Sequence, residues 1–353
     1  MTFRGRNADD HEAYDRPRRH TKPRTKDRPD YTKAEIGMII TVDRGRFRTL
    51  VDDREVTAMK ARQLGRTGVI VGDRVRIVGD TSGEEGSLAR IVAVEDRTTV
   101  LRRTADDDDP YERPIVANAD QLVIVTALAD PPPRTGMIDR ILVAGFDAGI
   151  EPLLCLTKAH LASPDEMRAL YEPLGVRVEA TAPGADLTAL RGILAGRRSV
   201  FIGHSGVGKS TLVNALIPGA LRAIGHVNEV TGRGRHTSSS AIALELPDAA
   251  GVEPQPDTGR GVLAGGSGGV VPPSTGRGWV IDTPGVRSFG LSHVSRERLI
   301  SAFADLEAIT LTCPRGCSHM TNAPECALDT AVKRGELSSA RLGSFRRMLD
   351  SGQ

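Results

Sequence analysis

The feature that most constrains this chain is the eight-residue segment from Gly203 to Ser210. It fits the pattern G-x-x-x-x-G-K-[ST], follows the apolar run 199–202 and precedes the helical run 211–216. Glycines in such a loop let backbone N–H groups and the helix N-terminus meet phosphate oxygens, while Lys209 reaches the outer phosphates. The segment predicts a strand–loop–helix unit that binds a phosphorylated ligand. The candidate phosphate-binding residues are Gly203, His204, Ser205, Gly206, Val207, Gly208, Lys209, Ser210 and Thr211.

The residues around this loop have the pattern of an α/β domain. Between residues 113 and 291, apolar runs of strand length alternate with segments whose apolar residues recur at helical spacing. Such alternation is typical of βαβ units and a parallel sheet. A Pro- and Gly-rich stretch, residues 247–278, interrupts the domain, and we expect it to be a flexible insertion.

Length and charge limit the class of protein. At roughly 150 residues per domain, 353 residues predict two or three domains. Lys and Arg number 47 against 45 Asp and Glu, and this near balance excludes a wholly basic nucleic-acid coat. No apolar run approaches the roughly 18 residues of a membrane span, and the N-terminus lacks a signal-peptide core. We therefore expect a cytoplasmic protein with no membrane partner.

The N-terminal third divides into a tail and a small barrel. Residues 1–35 have no apolar period, which predicts a disordered basic tail, either merely solvated or in contact with phosphates. Residues 36–112 contain short β-rich runs between turn-forming clusters, a spacing that predicts an OB-fold barrel. Phe47 is the only aromatic residue in those runs, so RNA contact and a purely structural barrel are equally open. The arginines available for RNA contact are Arg44, Arg46 and Arg48.

Two further segments suit a nucleoside triphosphate with Mg²⁺. Residues 282–285 form D-x-x-G at the end of a predicted strand, where the carboxylate can hold Mg²⁺ through water and the glycine N–H can reach the γ-phosphate. The polar segment 232–238 offers a hydroxyl for the same ion, although it could also be a plain surface loop. The candidate catalytic residues are His236, Thr237, Asp282 and Gly285.

A base-recognition motif of the form N-K-x-D does not follow Gly285. The nearest match, residues 157–160, precedes the phosphate loop and follows the strand predicted at 152–157, which places it on the ligand side of the sheet. The order base motif, phosphate loop, D-x-x-G is that of a circular permutation. The residues of this candidate motif are Thr157, Lys158, Ala159 and His160.

Three of the four cysteines lie close together near the C-terminus. Cys313, Cys317, His319 and Cys326 have the spacing C-x3-C-x-H-x6-C. Three thiolates and one imidazole complete a tetrahedral shell for structural zinc, which leaves no open position for catalysis. Zinc would stabilise a helical domain at residues 292–353 that is short of apolar residues. Three reduced, unrelated cysteines are the alternative.

The order of these motifs, with a barrel before them and a cysteine cluster after them, resembles the RsgA family of ribosome small-subunit-dependent GTPases. The resemblance covers about residues 37–350 and rests also on the runs 117–121, 199–210, 234–237 and 282–285. It implies a multidomain protein with an N-terminal OB-fold β-barrel, a central α/β circularly permuted P-loop GTPase domain and a C-terminal helical zinc-binding domain.

By the same resemblance, the chain would hydrolyse GTP to GDP and phosphate with Mg²⁺, and would carry one structural Zn²⁺. Its partner would be the small (30S) ribosomal subunit with its 16S rRNA, late in the maturation of that subunit. We expect it to act as a monomer.

One position departs from the family's pattern, and a second departs from the pattern of many GTPases. His160 stands where the base motif has an aspartate that accepts hydrogen bonds from guanine N1–H and N2–H₂, and a neutral imidazole can accept only one. Val286 stands where many GTPases have a glutamine that orients the attacking water. The resemblance offers the small subunit as activator and His236 as a candidate water-positioning residue. A surface role for His236 is the alternative.

Two other functions stay open at this point. One is an RNA-binding assembly factor whose nucleotide site has lost turnover or selectivity, which His160 suggests. The other is a P-loop NTPase that acts away from ribosomes, which the lack of a strongly basic, aromatic surface suggests.

Overall fold

The computed structural model describes residues 31–65, 68–104, 111–220, 241–247, 277–285, 289–291 and 296–351. Several sequence-based predictions lie outside the described residues. They concern the tail up to residue 30, the segment 232–238 with His236 and Thr237, Val286, and residues 248–276 of the insertion.

Five strands close into a barrel at the start of the described chain, which confirms the predicted OB-like architecture. They are β1 (Glu35–Asp43), β2 (Arg46–Val51), β3 (Arg54–Lys60), β4 (Arg74–Gly79) and β5 (Ala89–Val94). They pair in the order β1–β2–β3–β5–β4, and β4 returns to β1. In β2, Phe47 is buried while Arg46 and Arg48 are exposed, because successive side chains of a strand point to opposite faces.

A two-stranded ribbon joins the barrel to the rest of the chain. It consists of β6 (Val100–Arg103) and β7 (Arg113–Ala117), which run antiparallel. Asn118 follows β7 with a φ of +56°, a conformation that asparagine tolerates better than most residues. Its buried side chain donates to the Gly72 carbonyl (2.9 Å) and accepts from the Thr98 N–H (2.8 Å). The run 117–121 thus ties the barrel to the α/β sheet.

The central domain is a sheet with helices on both faces, as the alternating pattern predicts. Its strands are β8 (Gln121–Ala127), β9 (Glu151–Thr157), β10 (Arg177–Ala180), β11 (Arg198–Gly203), β12 (Ile242–Leu246) and β13 (Gly278–Asp282). Its helices are α1 (Thr135–Asp147), α2 (Asp165–Tyr171), α3 (Thr188–Leu194) and α4 (Lys209–Leu216). The strand order is β10–β9–β8–β11–β13–β12, and among these strands only β12 is antiparallel to its neighbour. Helices α1 and α2 cover one face, and α3 and α4 cover the other.

Strand β12 also connects the two β-structures. It pairs with β1 of the barrel through Thr41 and Ile242, so the described strands of the barrel and of the central domain form one continuous sheet. Strand β12 is the first described strand after the segment that contains His236. The barrel therefore contacts the strand that follows this segment in the chain.

Helix α2 begins at Asp165, and Pro164 is the residue directly before it. The Ser163 hydroxyl accepts a hydrogen bond from the Asp165 N–H (3.2 Å). Ser163 thus satisfies one of the backbone N–H groups that a helix leaves without a partner in its first turn.

Helices also form the described part of the C-terminal region. They are α5 (Arg296–Ser301), α6 (Ala304–Thr310), α7 (Ala327–Lys333) and α8 (Ser339–Ser351). Helices α5 and α6 are separated at Phe303, whose backbone is not helical (φ −121°, ψ 83°) and whose ring packs edge-to-face against Phe146 of α1 and Phe345 of α8.

Helix α8 is held on the central domain by a buried ion pair. Arg347 donates to the carboxylate of Asp139 on α1 (3.0 Å), and the side chain of Asp139 is 1% exposed. The guanidinium also lies 5.1 Å from the centre of the Tyr171 ring. The described residues from 34 onward form one compact unit, and the boundaries predicted near residues 112 and 291 stay predictions. Across the described ranges, no helix combines the length and the apolar character that a membrane span requires.

Candidate nucleotide site and metal cluster

The carboxyl ends of neighbouring parallel strands bring the predicted nucleotide motifs to one edge of the sheet. β9 ends at Thr157, β11 at Gly203 and β13 at Asp282. Strand β8 lies between β9 and β11, and β13 lies on the other side of β11. Ligands of open α/β sheets bind at this edge. The three motifs therefore meet in space although they are far apart in the chain.

The phosphate loop is held close to β8 and wraps into α4. A Cβ atom on Gly203 would lie 2.5 Å from the Val125 carbonyl oxygen, so only glycine fits where β11 enters the loop. Gly206 and Gly208 have φ angles of +83° and +87°, which glycine adopts at no steric cost. Gly208 is the residue before α4, so the loop N–H groups lead directly into the helix N-terminus.

The loop lysine and the D-x-x-G aspartate form a buried pair. Lys209 and Asp282 are 7% and 8% exposed, and the Lys209 ammonium contacts Asp282 Oδ1. It also donates to the Thr283 carbonyl (2.6 Å). Burial raises the pKa of Asp282 above its ordinary value, while Lys209 opposes the shift. The pair places one cation and one carboxylate at the end of the phosphate loop.

The second half of D-x-x-G lies against the phosphate loop. The Thr283 hydroxyl donates to the Phe201 carbonyl (2.8 Å), which fixes the motif to β11. A Cβ on Gly285 would lie 3.7 Å from both the Gly203 oxygen and the Ser205 nitrogen. Gly285 is therefore a close neighbour of the candidate phosphate loop. Ser210 and Thr211 are exposed at the start of α4.

The candidate base motif is hydrogen-bonded to the phosphate loop. The buried Thr157 hydroxyl donates to the Val207 carbonyl (2.5 Å) and lies 3.2 Å from the Thr126 carbonyl. Lys158 has a φ of +57°, and its ammonium contacts the Asp130 carbonyl. The predicted base-motif residues are thus brought together with the predicted phosphate residues.

Sequence reasoning missed one neighbour of this motif. The Ala159 N–H donates to the Thr181 carbonyl (3.0 Å), and the Thr181 N–H donates to the Leu156 carbonyl (2.8 Å). The loop after β10 therefore lines the same edge, beside the exposed His160. Its sequence, T-A-P-G, carries no ionisable side chain, and only its position after a parallel strand could have indicated it.

The four predicted metal ligands converge. One ligand atom from each of Cys313, Cys317, His319 and Cys326 lies within 4.8 Å of all the others. His319 Nδ1 is 3.6 Å from Cys313 Sγ and 3.9 Å from Cys326 Sγ. Tetrahedral zinc with bonds of about 2.3 Å to sulfur places two sulfurs about 3.8 Å apart, so the cluster has the size of such a site.

The electrostatics of the cluster suit a divalent cation. Burial raises the pKa of Cys313 to about 11, and the neighbouring Cys326 and Cys317 sulfurs act in the same direction. A metal ion bound among the sulfurs would lower the pKa of these thiols, because its positive charge stabilises the thiolates. Burial and then the Arg346 guanidinium lower the pKa of His319, which favours the neutral imidazole that binds metals. The residues present therefore fit zinc.

Comparison with known proteins adds a family to this geometry. The chain matches the family model described as "RsgA GTPase" over residues 94–256 and the one described as "50S ribosome-binding GTPase" over residues 198–323. It is 34% identical over 334 residues to the "Small ribosomal subunit biogenesis GTPase RsgA" of Pseudomonas syringae pv. syringae (strain B728a), covering 91% of this chain and 87% of that protein.

A second relative of that name aligns with less of its length. The protein of Pseudomonas aeruginosa (strain LESB58) is 38% identical over 248 residues, and the alignment covers 68% of this chain and 64% of that relative. The chain thus spans somewhat under two thirds of the relative's length.

Two crystal structures have a similar fold. YjeQ from Thermotoga maritima matches with a TM-score of 0.60 and 22% identity, over 90% of this chain and 98% of that chain. YloQ, described as a circularly permuted GTPase, matches with a TM-score of 0.60 and 23% identity, over 91% and 96% of the two chains. The predicted fold class is confirmed.

Proposed function

The chain belongs to the RsgA family of GTPases, and we propose on this premise that it hydrolyses GTP to GDP and phosphate during late maturation of the small (30S) ribosomal subunit. One observation carries the proposal. The base motif, the phosphate loop and D-x-x-G meet at one edge of the sheet and are joined by the contacts Thr157–Val207 and Lys209–Asp282.

The phosphate loop would bind the triphosphate through the backbone N–H groups of residues 203–210 and the N-terminus of α4. Lys209 would exchange its contact with Asp282 for the β and γ phosphates. This exchange keeps the buried ammonium paired throughout, because each of its partners is anionic. It also frees the Asp282 carboxylate to turn toward the metal.

Mg²⁺ would be held by the Ser210 hydroxyl, by Thr237 and, through water, by Asp282. The ion neutralises charge on the β and γ phosphates when bound. Gly285 lies beside the phosphate loop and would donate its N–H to the γ-phosphate. The roles of Ser210 and Asp282 are supported by their place at the N-terminus of α4 and at the end of β13.

Residues 157–160 and the neighbouring loop after β10 would form the base site. Lys158 would lie along the base, while His160 would accept at most one hydrogen bond from guanine. Loss of the charge-assisted bonds that a carboxylate makes costs roughly 1.5 to 3 kcal/mol each. Selectivity for guanine is therefore expected to be weaker than an aspartate at this position would provide.

Turnover would depend on a group outside the phosphate loop. Val286 cannot orient water, so unassisted hydrolysis is expected to be slow. We assign the positioning of the attacking water to His236, with the small subunit as activator. This assignment rests on the family and on the place of His236 in the segment before β12.

The small subunit would be bound through its 16S rRNA. The barrel has the strand order of the OB-fold, which commonly binds oligonucleotides. Arg44 and Arg46 are exposed at the turn between β1 and β2. Arg48, also a candidate, pairs instead with Glu55.

The Cys₃His cluster would hold one structural Zn²⁺. We also propose that the protein acts in the cytoplasm, where ribosomes are assembled, and as a monomer.

Phosphate release from GTP and from ATP, each with and without purified 30S subunits, tests this function. We expect release from GTP that the subunits stimulate, less release from ATP than from GTP, and no release by Lys209→Ala. His236→Ala should bind GDP normally but lose the stimulation. Stimulation of neither nucleotide would favour an RNA-binding factor with a degenerate site. Equal turnover of both without subunits would favour an NTPase that acts away from ribosomes.

A further inference from the structure

One arginine of α8 contacts the metal cluster without being a metal ligand. The side chain of Arg346 is 11% exposed, and its Nε donates to the His319 carbonyl (2.9 Å). Its Nη1 and Nη2 donate to the two carboxylate oxygens of Asp329, at 2.8 Å each. The guanidinium therefore spans the loop that carries His319 and the helix α7 that follows Cys326.

These contacts fix the backbone at two of the four ligands. His319 has a φ of +57°, which an L-residue adopts at a cost, and the hydrogen bond from Arg346 holds its carbonyl in that conformation. Asp329 lies in the first turn of α7, and its N–H donates to the Cys326 carbonyl (3.1 Å). By holding Asp329, Arg346 also fixes the backbone of Cys326, and with it the position of the Cys326 sulfur.

A fourth contact is electrostatic. A guanidinium has five N–H donors, and the bonds to His319 and Asp329 use three of them. The Arg346 guanidinium also forms a hydrogen bond with the Cys326 sulfur. Three thiolates around Zn²⁺ leave one net negative charge on the centre. A cation beside one of the sulfurs offsets that charge.

We propose that Arg346 is a positioning residue of the metal centre, which sets the conformation of His319, places Cys326 and neutralises part of the thiolate charge. The inference rests on the zinc that we propose for this cluster and is independent of the GTPase activity. It makes metal affinity depend on a residue of α8, the helix that Arg347 docks on the central domain.

A second arginine of α8 provides a matched control. Arg341 also donates through two nitrogens to one carboxylate, Asp305 (2.6 and 2.7 Å), and through a third to a carbonyl, that of Pro173 (2.6 Å). These partners are not metal ligands and lie outside the metal-binding loop. If Arg346 did no more than hold α8, replacing either arginine would have the same effect on metal binding.

The test is zinc affinity of the full chain, measured by competition with a chromophoric chelator, for wild type, Arg346→Met, Arg346→Lys and Arg341→Met. Residues that support metal ligands typically contribute 10- to 100-fold in affinity. We expect a loss of about that size for Arg346→Met and a change within about twofold for Arg341→Met. Lysine retains the charge but cannot make the forked contact, so Arg346→Lys should lose at least about fivefold.

Spectra of the cobalt-substituted proteins provide a second readout. The thiolate-to-cobalt charge-transfer bands should shift in Arg346→Met, because the Cys326 sulfur loses its cationic neighbour, and should be unchanged in Arg341→Met. Wild-type affinity in Arg346→Met, or an equal loss in both methionine variants, overturns the proposal. If Arg346→Met does not fold, wild-type affinity in Arg346→Lys overturns it. A wild-type protein that binds no zinc overturns the zinc centre as well, whereas a failure of GTP turnover leaves this measurement unaffected.

Discussion

Replacing Thr157 by valine tests whether the loop after β9 holds the phosphate loop in its binding conformation. Valine has nearly the shape of threonine, so the substitution leaves no cavity at a residue that is 6% exposed. It removes the hydroxyl that donates to the Val207 carbonyl at 2.5 Å. The hydroxyl also lies 3.2 Å from the Thr126 carbonyl, but of these two contacts only the one with Val207 joins the base motif to the phosphate loop.

The magnitude follows from the burial of both groups. Losing such a bond costs about 1 kcal/mol, and up to about 3 kcal/mol if the carbonyl finds no other donor. A cost of about 1.4 kcal/mol corresponds to tenfold in affinity. Because phosphate binding needs the loop in its wrapped form, we expect GDP affinity to fall by roughly three- to tenfold and the free energy of unfolding by about 1 to 2 kcal/mol.

Isothermal titration calorimetry with GDP measures the first quantity, and urea denaturation measures the second. Thr157→Ser is the matched control because it keeps the hydroxyl and loses a methyl group. Its GDP affinity should stay within about twofold of wild type while its stability falls by about 1 kcal/mol. If Thr157→Val bound GDP as tightly as wild type, the hydroxyl would not hold the phosphate loop, and our reasoning about the joined motifs would be wrong.

Three further substitutions test other parts of the site and fold. His160→Asp should tighten GTP binding relative to ATP at least about tenfold by restoring a carboxylate for guanine, and equal GTP affinity in both proteins by calorimetry would refute it. Gly203→Ala should weaken GDP binding at least about tenfold, since its Cβ would meet the Val125 carbonyl at 2.5 Å, and an unchanged calorimetric affinity would contradict this. Arg347→Met should lower the free energy of urea unfolding by about 3 to 5 kcal/mol because it removes the cation that is paired with the buried Asp139 carboxylate. Adding Asp139→Asn should recover part of the loss, and no recovery would count against the buried charge as the cause.

Much of the site could be predicted from local sequence because its chemistry is local. The phosphate loop needs glycines, a lysine and a hydroxyl within eight residues, and the alternation of apolar runs around it determines an α/β sheet. The candidate metal cluster could be predicted in the same way, since its four candidate ligands lie within residues 313–326. The parallel order of the strands then implied that residues 157–160 share an edge with the phosphate loop, which the structure bears out.

Contacts between distant segments were decided only by the tertiary structure. Three features depend on how separate elements pack, which no short sequence pattern indicates. They are the pairing of β12 with β1, the hydrogen bonds of Asn118 between barrel and sheet, and the loop at Thr181 beside the base motif. The same holds for Arg346, one of many arginines in the sequence. Hydrogen bonds to Asp329 and to the His319 carbonyl distinguish it, and those partners meet only after α7, α8 and the metal loop have folded together.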